Sequence, residues 1–157
     1  MNDRFVDDLF EKLTNERQAA QTRADRARES RERIAVTAGV WWDDFCRVLE
    51  RKVQAWNKKA EPVGQVRFTR TTSGSVSVWH QSAEAELRLS EPRVVMTGRI
   101  GDTQPRESPF IEFNEVGGDV VAALASDSRI KSAIDAANHI LAPILVHAFN
   151  ASGSMIT

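Results

Sequence analysis

The chain has few of the residues on which disulfides, metal sites and membrane spans depend. It contains one cysteine and three histidines among 157 residues, so no internal disulfide can form. His80, His139 and His147 are too scattered in sequence for a metal site. Since no run of about 18 apolar residues occurs, we expect no transmembrane helix. The acidic, amphipathic start MNDRFVDDLF also differs from a signal peptide. These absences together predict a cytoplasmic protein.

Signatures of catalysis and cofactor binding are missing as well. No glycine-rich phosphate loop follows a strand, because Gly117-Gly118 is too short for one. Residues 128–131 match a Ser-x-x-Lys pattern, but the companion motifs of penicillin-recognising enzymes are absent, so we interpret the match as chance. Glu84 and Glu86 alternate with apolar residues, which is typical of a solvated strand face. We therefore predict no catalytic residue, no cofactor and no metal, and an enzyme is the least favoured class of function.

The spacing of apolar residues changes twice along the chain and predicts the fold class. It is helical from Asp3 to about Lys59, alternates from 65 to 116, and is helical again from 128 to 149. This order predicts an α+β fold with a long N-terminal helix, an antiparallel sheet of about five strands and a C-terminal helix packed on the sheet. The five expected strands are 65–70, 75–80, 83–89, 94–100 and 110–116, with a loop over 101–109. Residues 119–125 fit either a sixth strand or the approach to the last helix.

Several residues indicate where the helices begin, break and end. Asn2 or Asp3 can cap the first helix, and Pro62 ends it. If the first helix breaks or kinks, Gly39 is the expected place, since glycine costs about 1 kcal/mol in a helix interior. A break would let the arm fold back as a helical hairpin, whereas an unbroken helix would overhang and need a partner. In the last helix, Ser126 or Asp127 is the expected cap, and Pro143 predicts a kink.

The first helix also carries apolar residues at alternating spacings of four and three, which is typical of a coiled-coil seam. Nine of the twelve seam positions are apolar. They are Leu13, Arg17, Ala20, Ala24, Ala27, Arg31, Ile34, Ala38, Trp41, Phe45, Val48 and Lys52. The seam side chains are small from Ala20 to Ala27, and most of them are large from Ile34 onwards. We therefore predict a helical arm over 1–33, an α+β domain over 34–150 and a flexible tail over 151–157.

The leading functional hypothesis is protein–protein contact, with a homodimer formed through the N-terminal helix. Its expected contact residues are Phe5, Leu9 and Leu13 near the tip of the arm, with Phe10 beside them. Trp41 and Trp42 are further candidate contacts, because they point about 100° apart on a helix and one of them can meet solvent, a second chain or a ligand. Packing of this aromatic cluster in the core is the leading interpretation. A different protein as partner is left open.

An arginine-rich stretch supports an alternative, contact with the phosphates of a nucleic acid. Its candidate residues are Arg23, Arg26, Arg28, Arg31 and Arg33. Because acidic residues are interspersed and the whole chain carries a net charge of −1, bulk charge gives no support for nucleic acid or for an anionic membrane.

A third hypothesis is a small-ligand site between the sheet and the C-terminal helix. Pro143 disturbs the packing of that helix, so the hypothesis predicts an apolar cavity near Pro143 and Trp79. Cys46 lies among apolar residues and is expected to be a buried, inert thiol.

Overall fold

The computed structural model describes residues 3–72, 74–99, 106–125 and 132–153. Helix α1 (Arg4–Lys59) comes first and α2 (Ala133–Gly153) last, with a short 3-10 turn at Pro62–Gly64. Between them lie the strands β1 (Arg67–Arg70), β2 (Ser75–His80), β3 (Ala83–Ser90), β4 (Arg93–Arg99), β5 (Arg106–Val116) and β6 (Asp119–Leu124). The α+β class is confirmed, and the sheet has six strands where about five were expected.

The chain divides into two compact units, Met1–Arg33 and Ile34–Thr157. The first unit holds only the N-terminal part of α1. The second holds the rest of α1, the sheet and α2. The tail expected from Ala151 onwards is helical as far as Gly153, and residues 154–157 lie outside the described residues.

Helix α1 begins at a capping aspartate and continues through the glycine at which a break was one of two alternatives. The Asp3 carboxylate accepts a hydrogen bond from the Val6 backbone N–H at 3.2 Å, which satisfies a donor that the first turn leaves unpaired. At Gly39 the helix is uninterrupted, so of the two alternatives the structure has the unbroken helix. Ala38 before Gly39 and Trp42 about one turn after it are buried in the core. Their packing outweighs the cost of about 1 kcal/mol for a helical glycine.

The sheet is a simple antiparallel meander in which neighbours in sequence are neighbours in space, in the order β1-β2-β3-β4-β5-β6. The connection from β5 to β6 consists of Gly117 and Gly118, whose φ angles are +60° and +87°. A two-residue turn with both φ angles positive matches the twist of the strands it joins, and only glycine adopts it without strain.

One irregularity explains why strict alternation fails in β5. The pairing of β4 with β5 shifts between Val94 and Val95, whose partners are Ile111 and Pro109. Phe110 is therefore an extra residue in β5, and both Phe110 and Ile111 are buried. A β-bulge of this kind turns two consecutive side chains towards the core. A loop was expected over 101–109, but β5 already begins at Arg106, so that expectation is wrong for residues 106–109. Residues 101–105 lie outside the described residues.

The core of the second unit lies between one face of the sheet and the two helices. Buried residues from α1, from alternating strand positions and from α2 form one hydrophobic cluster. The end of α1 is tied to the segment before β1 by two side chains. Trp56 Nε1 donates to the Gly64 carbonyl at 2.9 Å, and the Asn57 amide both donates to and accepts from the backbone of Val66 at 2.8 Å.

Helix α2 begins later than the sequence pattern indicated. The Ser132 hydroxyl accepts a hydrogen bond from the Asp135 N–H at 3.1 Å and acts as the cap. The caps expected at Ser126 and Asp127 lie outside the described residues. Pro143 occupies the helix interior. Within the described residues, no helix has the length and apolar character needed to cross a membrane.

Candidate functional site

The first unit exposes a cluster of large apolar side chains, which we call the apolar tip. Phe5 is 73% exposed, Phe10 is 72% exposed and Leu13 is 53% exposed. Val6 and Leu9 are exposed beside them. A cluster of exposed apolar side chains makes this end of α1 a candidate contact surface.

The seam continues from the apolar tip through small side chains. Ala20, Ala24 and Ala27 are all exposed in the first unit, as are the seam arginines Arg17 and Arg31. Small side chains permit another helix to approach closely. The seam of the first unit therefore has a bulky half and a flat half.

The five arginines proposed for phosphate contact are all exposed on α1. Successive helical residues turn by about 100°, so positions 23, 26, 28, 31 and 33 are spread around the helix axis. Arg28 also lies 3.5 Å from Asp25 and 4.0 Å from Glu32. The arginines therefore do not form a single basic stripe.

The two adjacent tryptophans lie in an aromatic cluster of the second unit. Trp42 is only 4% exposed, and its ring centroid lies 5.7 Å from that of Phe45. Trp41 is half-buried, stacks on Phe45 at 5.2 Å and meets Phe113 edge-on at 5.6 Å. Both indoles therefore contact the same phenyl ring. Trp42 thus offers little surface to a partner, whereas Trp41 keeps one partly accessible side.

A cleft of about 470 Å³ lies between the sheet and α2 in the second unit. The sheet contributes Ala85, Met96 and Gly98, with Glu84 and Arg99 at the rim, and α2 contributes His139, Ile140, Pro143 and Ile144. Arg99 and Glu84 are 3.9 Å apart. The volume is within the range of small-molecule sites, and a mostly apolar lining with a few polar groups is their usual composition.

Two small residues create the cleft. Ala85 on β3 pairs directly with Gly98 on β4, so the sheet has almost no side chain at this point of its covered face. On the helix, Pro143 supplies a short, rigid ring where a longer side chain would fill the gap. The cleft lies beside Pro143, as the ligand hypothesis predicted. Trp79 does not line it, because in β2 the side chains of Val78 and His80 are buried while Trp79 between them is half-exposed.

Sequence reasoning missed a pair of histidines that joins three elements. His80 on β2 is 4% exposed, and its Nδ1 lies 3.0 Å from Nδ1 of His147 on α2. Its Nε2 lies 2.6 Å from the backbone carbonyl of Val63. Val76, Val78 and His80 share the buried face of β2, whereas the expected cavity beside Trp79 had assumed that the opposite face is covered.

With both rings neutral, the hydrogen bonds of this pair determine the tautomers. A carbonyl oxygen only accepts, so His80 Nε2–H donates to Val63. The remaining nitrogen of His80, Nδ1, is then an acceptor, and His147 Nδ1–H donates to it. Every polar atom of the buried ring is thus satisfied, and the arrangement serves to connect β2, α2 and the turn at Pro62–Gly64.

Cys46 is buried as expected and free. Burial raises the pKa of its thiol to about 11. The charge of Arg70 lowers this pKa by a smaller amount, and the charges of Asp43 and Glu50 raise it slightly. A thiol with so high a pKa is a poor nucleophile at neutral pH. Nearby, Arg70 donates to Asp43 at 2.8 Å and links β1 to α1.

No group of three or more metal-binding side chains occurs within residues 3–72, 74–99, 106–125 and 132–153. No family model, curated protein or solved structure matches the chain.

Proposed function

We propose that this chain is a cytoplasmic, non-enzymatic protein that acts through protein–protein contact, as a homo-oligomeric adaptor or scaffold. Its contact surface is the apolar tip together with the alanine seam of the first unit. The observation that carries the proposal is the exposure of Phe10 and Leu13 with their apolar neighbours. Fully burying one such side chain contributes about 1.5–3 kcal/mol.

The form of the surface supports a helix as the partner. A 3–4 seam presents a straight stripe along the helix, and a second helix with the same spacing interlocks with it as a coiled coil. An isolated helix rich in arginine and alanine is only marginally stable in water. Pairing would therefore stabilise the first unit as well as join two chains.

Light scattering on a sizing column tests the proposal. We expect the full chain to elute as a dimer that dissociates on dilution, and residues 34–157 to elute as a monomer. Recording absorbance at 260 and 280 nm together reveals co-purifying nucleic acid, which the proposal predicts to be absent. A full chain that is monomeric at high concentration would contradict the proposal.

The cleft supports a second candidate function, the binding of a small ligand. The ligand would have an apolar body that lies on Ala85, Gly98 and Ile140. Polar atoms of the ligand would meet Arg99 or His139 at the rim. The cleft is independent of the first unit, so a chain that assembles through α1 could also carry such a ligand.

A further inference from the structure

The seam of the first unit is divided by side-chain size. Continued towards the N-terminus at the same alternating spacing, the seam also includes Phe10 and Val6. Its N-terminal half then holds Val6, Phe10 and Leu13, and its C-terminal half holds Ala20, Ala24 and Ala27. In a parallel pair of these helices, large residues would face large ones at one end and alanine would face alanine at the other. No single distance between the helix axes suits both ends. In an antiparallel pair, Phe10 and Leu13 each face an alanine, which is the arrangement that fills an interface evenly.

One antiparallel register pairs every seam residue of this unit with another seam residue. Phe10 then faces Ala27 of the second copy, and Leu13 faces Ala24 of the second copy. Arg17 faces Ala20, and Val6 faces Arg31, in the adjoining layers. The paired segment, 6–31, is about 38 Å long at 1.5 Å per residue.

The two seam arginines discriminate between the orientations. A parallel pair would bring Arg17 against Arg17 and Arg31 against Arg31 at the centre of the interface, where like charges are destabilising. In the antiparallel register each guanidinium faces an apolar side chain instead. Its aliphatic stem can cover that side chain while the charged group reaches water.

The charge of the first unit is also divided. Residues 3–16 carry five carboxylates and two cationic side chains, a net charge of −3, whereas residues 17–33 carry six arginines and three carboxylates, a net charge of +3. An antiparallel pair places the acidic half of each copy beside the basic half of the other. A parallel pair would place like beside like along the whole length.

The positions that flank the seam show the same preference in detail. In the antiparallel register Asp7 lies opposite Arg28 of the second copy, and Glu16 lies opposite Arg23 of the second copy. In a parallel coiled coil, the flanking position of Arg23 would instead lie opposite that of Arg28. The exposed Arg28, now near Asp25 and Glu32 of its own helix, has five N–H donors and can add a third carboxylate.

From this complementarity of size and charge we infer that the first unit pairs with the first unit of a second copy of this chain, antiparallel, in the register that places Phe10 over Ala27. The inference rests on the proposed function, because it specifies the partner and its direction on the same surface.

A single charge reversal separates the two orientations. Arg23→Glu in the full chain places a carboxylate opposite Glu16 if the pair is antiparallel, but opposite Arg28 if it is parallel. Antiparallel pairing therefore predicts a dimer dissociation constant about three- to tenfold higher, since flanking ion pairs each contribute a few tenths of a kcal/mol and two are lost. Arg26→Glu makes the same charge change away from the seam and is the matched control. A dissociation constant that falls for Arg23→Glu relative to Arg26→Glu would overturn the antiparallel assignment.

Disulfide trapping tests the register directly. Leu13→Cys and Ala24→Cys are prepared as separate full-length variants and incubated alone and as an equal mixture in a glutathione redox buffer. The wild-type chain, whose Cys46 is buried, is the blank. We expect a disulfide between the two variants in the mixture and little within either variant alone. Disulfides formed by each variant alone would indicate a parallel pair, and a dimer that forms none in the mixture would exclude this register.

Light scattering on the same samples separates this inference from the proposed function. A dimer with the wrong disulfide pattern contradicts only the orientation. A chain that stays monomeric at every concentration contradicts the proposed function, and the inference with it.

Discussion

His80 and His147 are joined by a hydrogen bond between their Nδ1 atoms, although 67 residues separate them in the chain. With the bond from His80 to the Val63 carbonyl, the pair connects a strand, a helix and a turn. A satisfied polar group in an apolar core contributes little by itself, but leaving it unsatisfied is costly. The pair therefore stabilises one particular docking of α2 on β2.

Replacing His147 tests this role. His147→Phe leaves the buried His80 Nδ1 without a donor, so we expect the free energy of unfolding to fall by about 1–3 kcal/mol. His147→Asn provides an amide N–H near the same place and is expected to lose less than half as much. Urea unfolding monitored by tryptophan fluorescence measures both. Equal losses in the two variants would show that the hydrogen bond does not matter.

The outcome for these histidines shows what the sequence could and could not predict. The expected cavity beside Trp79 put the wrong face of β2 towards the core, since Val76, Val78 and His80 are the buried residues. The partner of His80 depends on how α2 docks, which no local pattern records. The sequence could not decide whether the helix breaks at Gly39, because the local cost of about 1 kcal/mol competes with packing that only the tertiary structure reveals.

Features of the sheet and the cleft that depend on strand pairing were also not predictable from the sequence. Six strands differ from the expected five because residues 119–125 had no distinguishing pattern, and Gly117-Gly118 fits a hairpin as well as a loop before a helix. The bulge at Phe110 could not be predicted, since it depends on the pairing of β5 with β4. A cavity at Pro143 was expected, but the role of Ala85 and Gly98 requires the register of β3 with β4.

Cys46 provides a prediction about pH. Burial raises the pKa of its thiol from 9.0 to about 11, so between these values the unfolded chain releases a proton that the folded chain keeps. The free energy of unfolding must therefore decrease as pH rises from 9 to 11, by roughly 2–3 kcal/mol from this group.

Other groups also titrate in that range, so the comparison is with Cys46→Val, which lacks the thiol and fills similar space. We expect the difference in free energy of unfolding between the wild type and Cys46→Val to be constant below pH 8. Above pH 9, the wild type should lose stability relative to Cys46→Val. Parallel stability curves up to pH 11 would contradict a strongly desolvated thiol.

The cleft provides a further prediction. Ala85→Leu extends a side chain into the space beside Gly98 and should reduce binding of a hydrophobic dye, such as anilinonaphthalene sulfonate, by several-fold, because the apolar volume is filled. Thr97→Leu, on the opposite face of the sheet, is the control and should leave this binding unchanged. If both variants bind the dye as the wild type does, the dye does not use the cleft, and the second candidate function loses its support.

The most direct test of the central proposal is sedimentation equilibrium of three full-length proteins, the wild type, Leu13→Asp and Val36→Asp. Both substitutions place a carboxylate on an exposed apolar position of α1, and Val36, which is 70% exposed, lies off the seam. We predict that the wild type and Val36→Asp dimerise alike, and that the dissociation constant of Leu13→Asp rises roughly a hundredfold or more, because a carboxylate would be buried at the interface. A monomeric wild type, or a Leu13→Asp dimer as tight as that of Val36→Asp, would contradict assembly through the N-terminal helix.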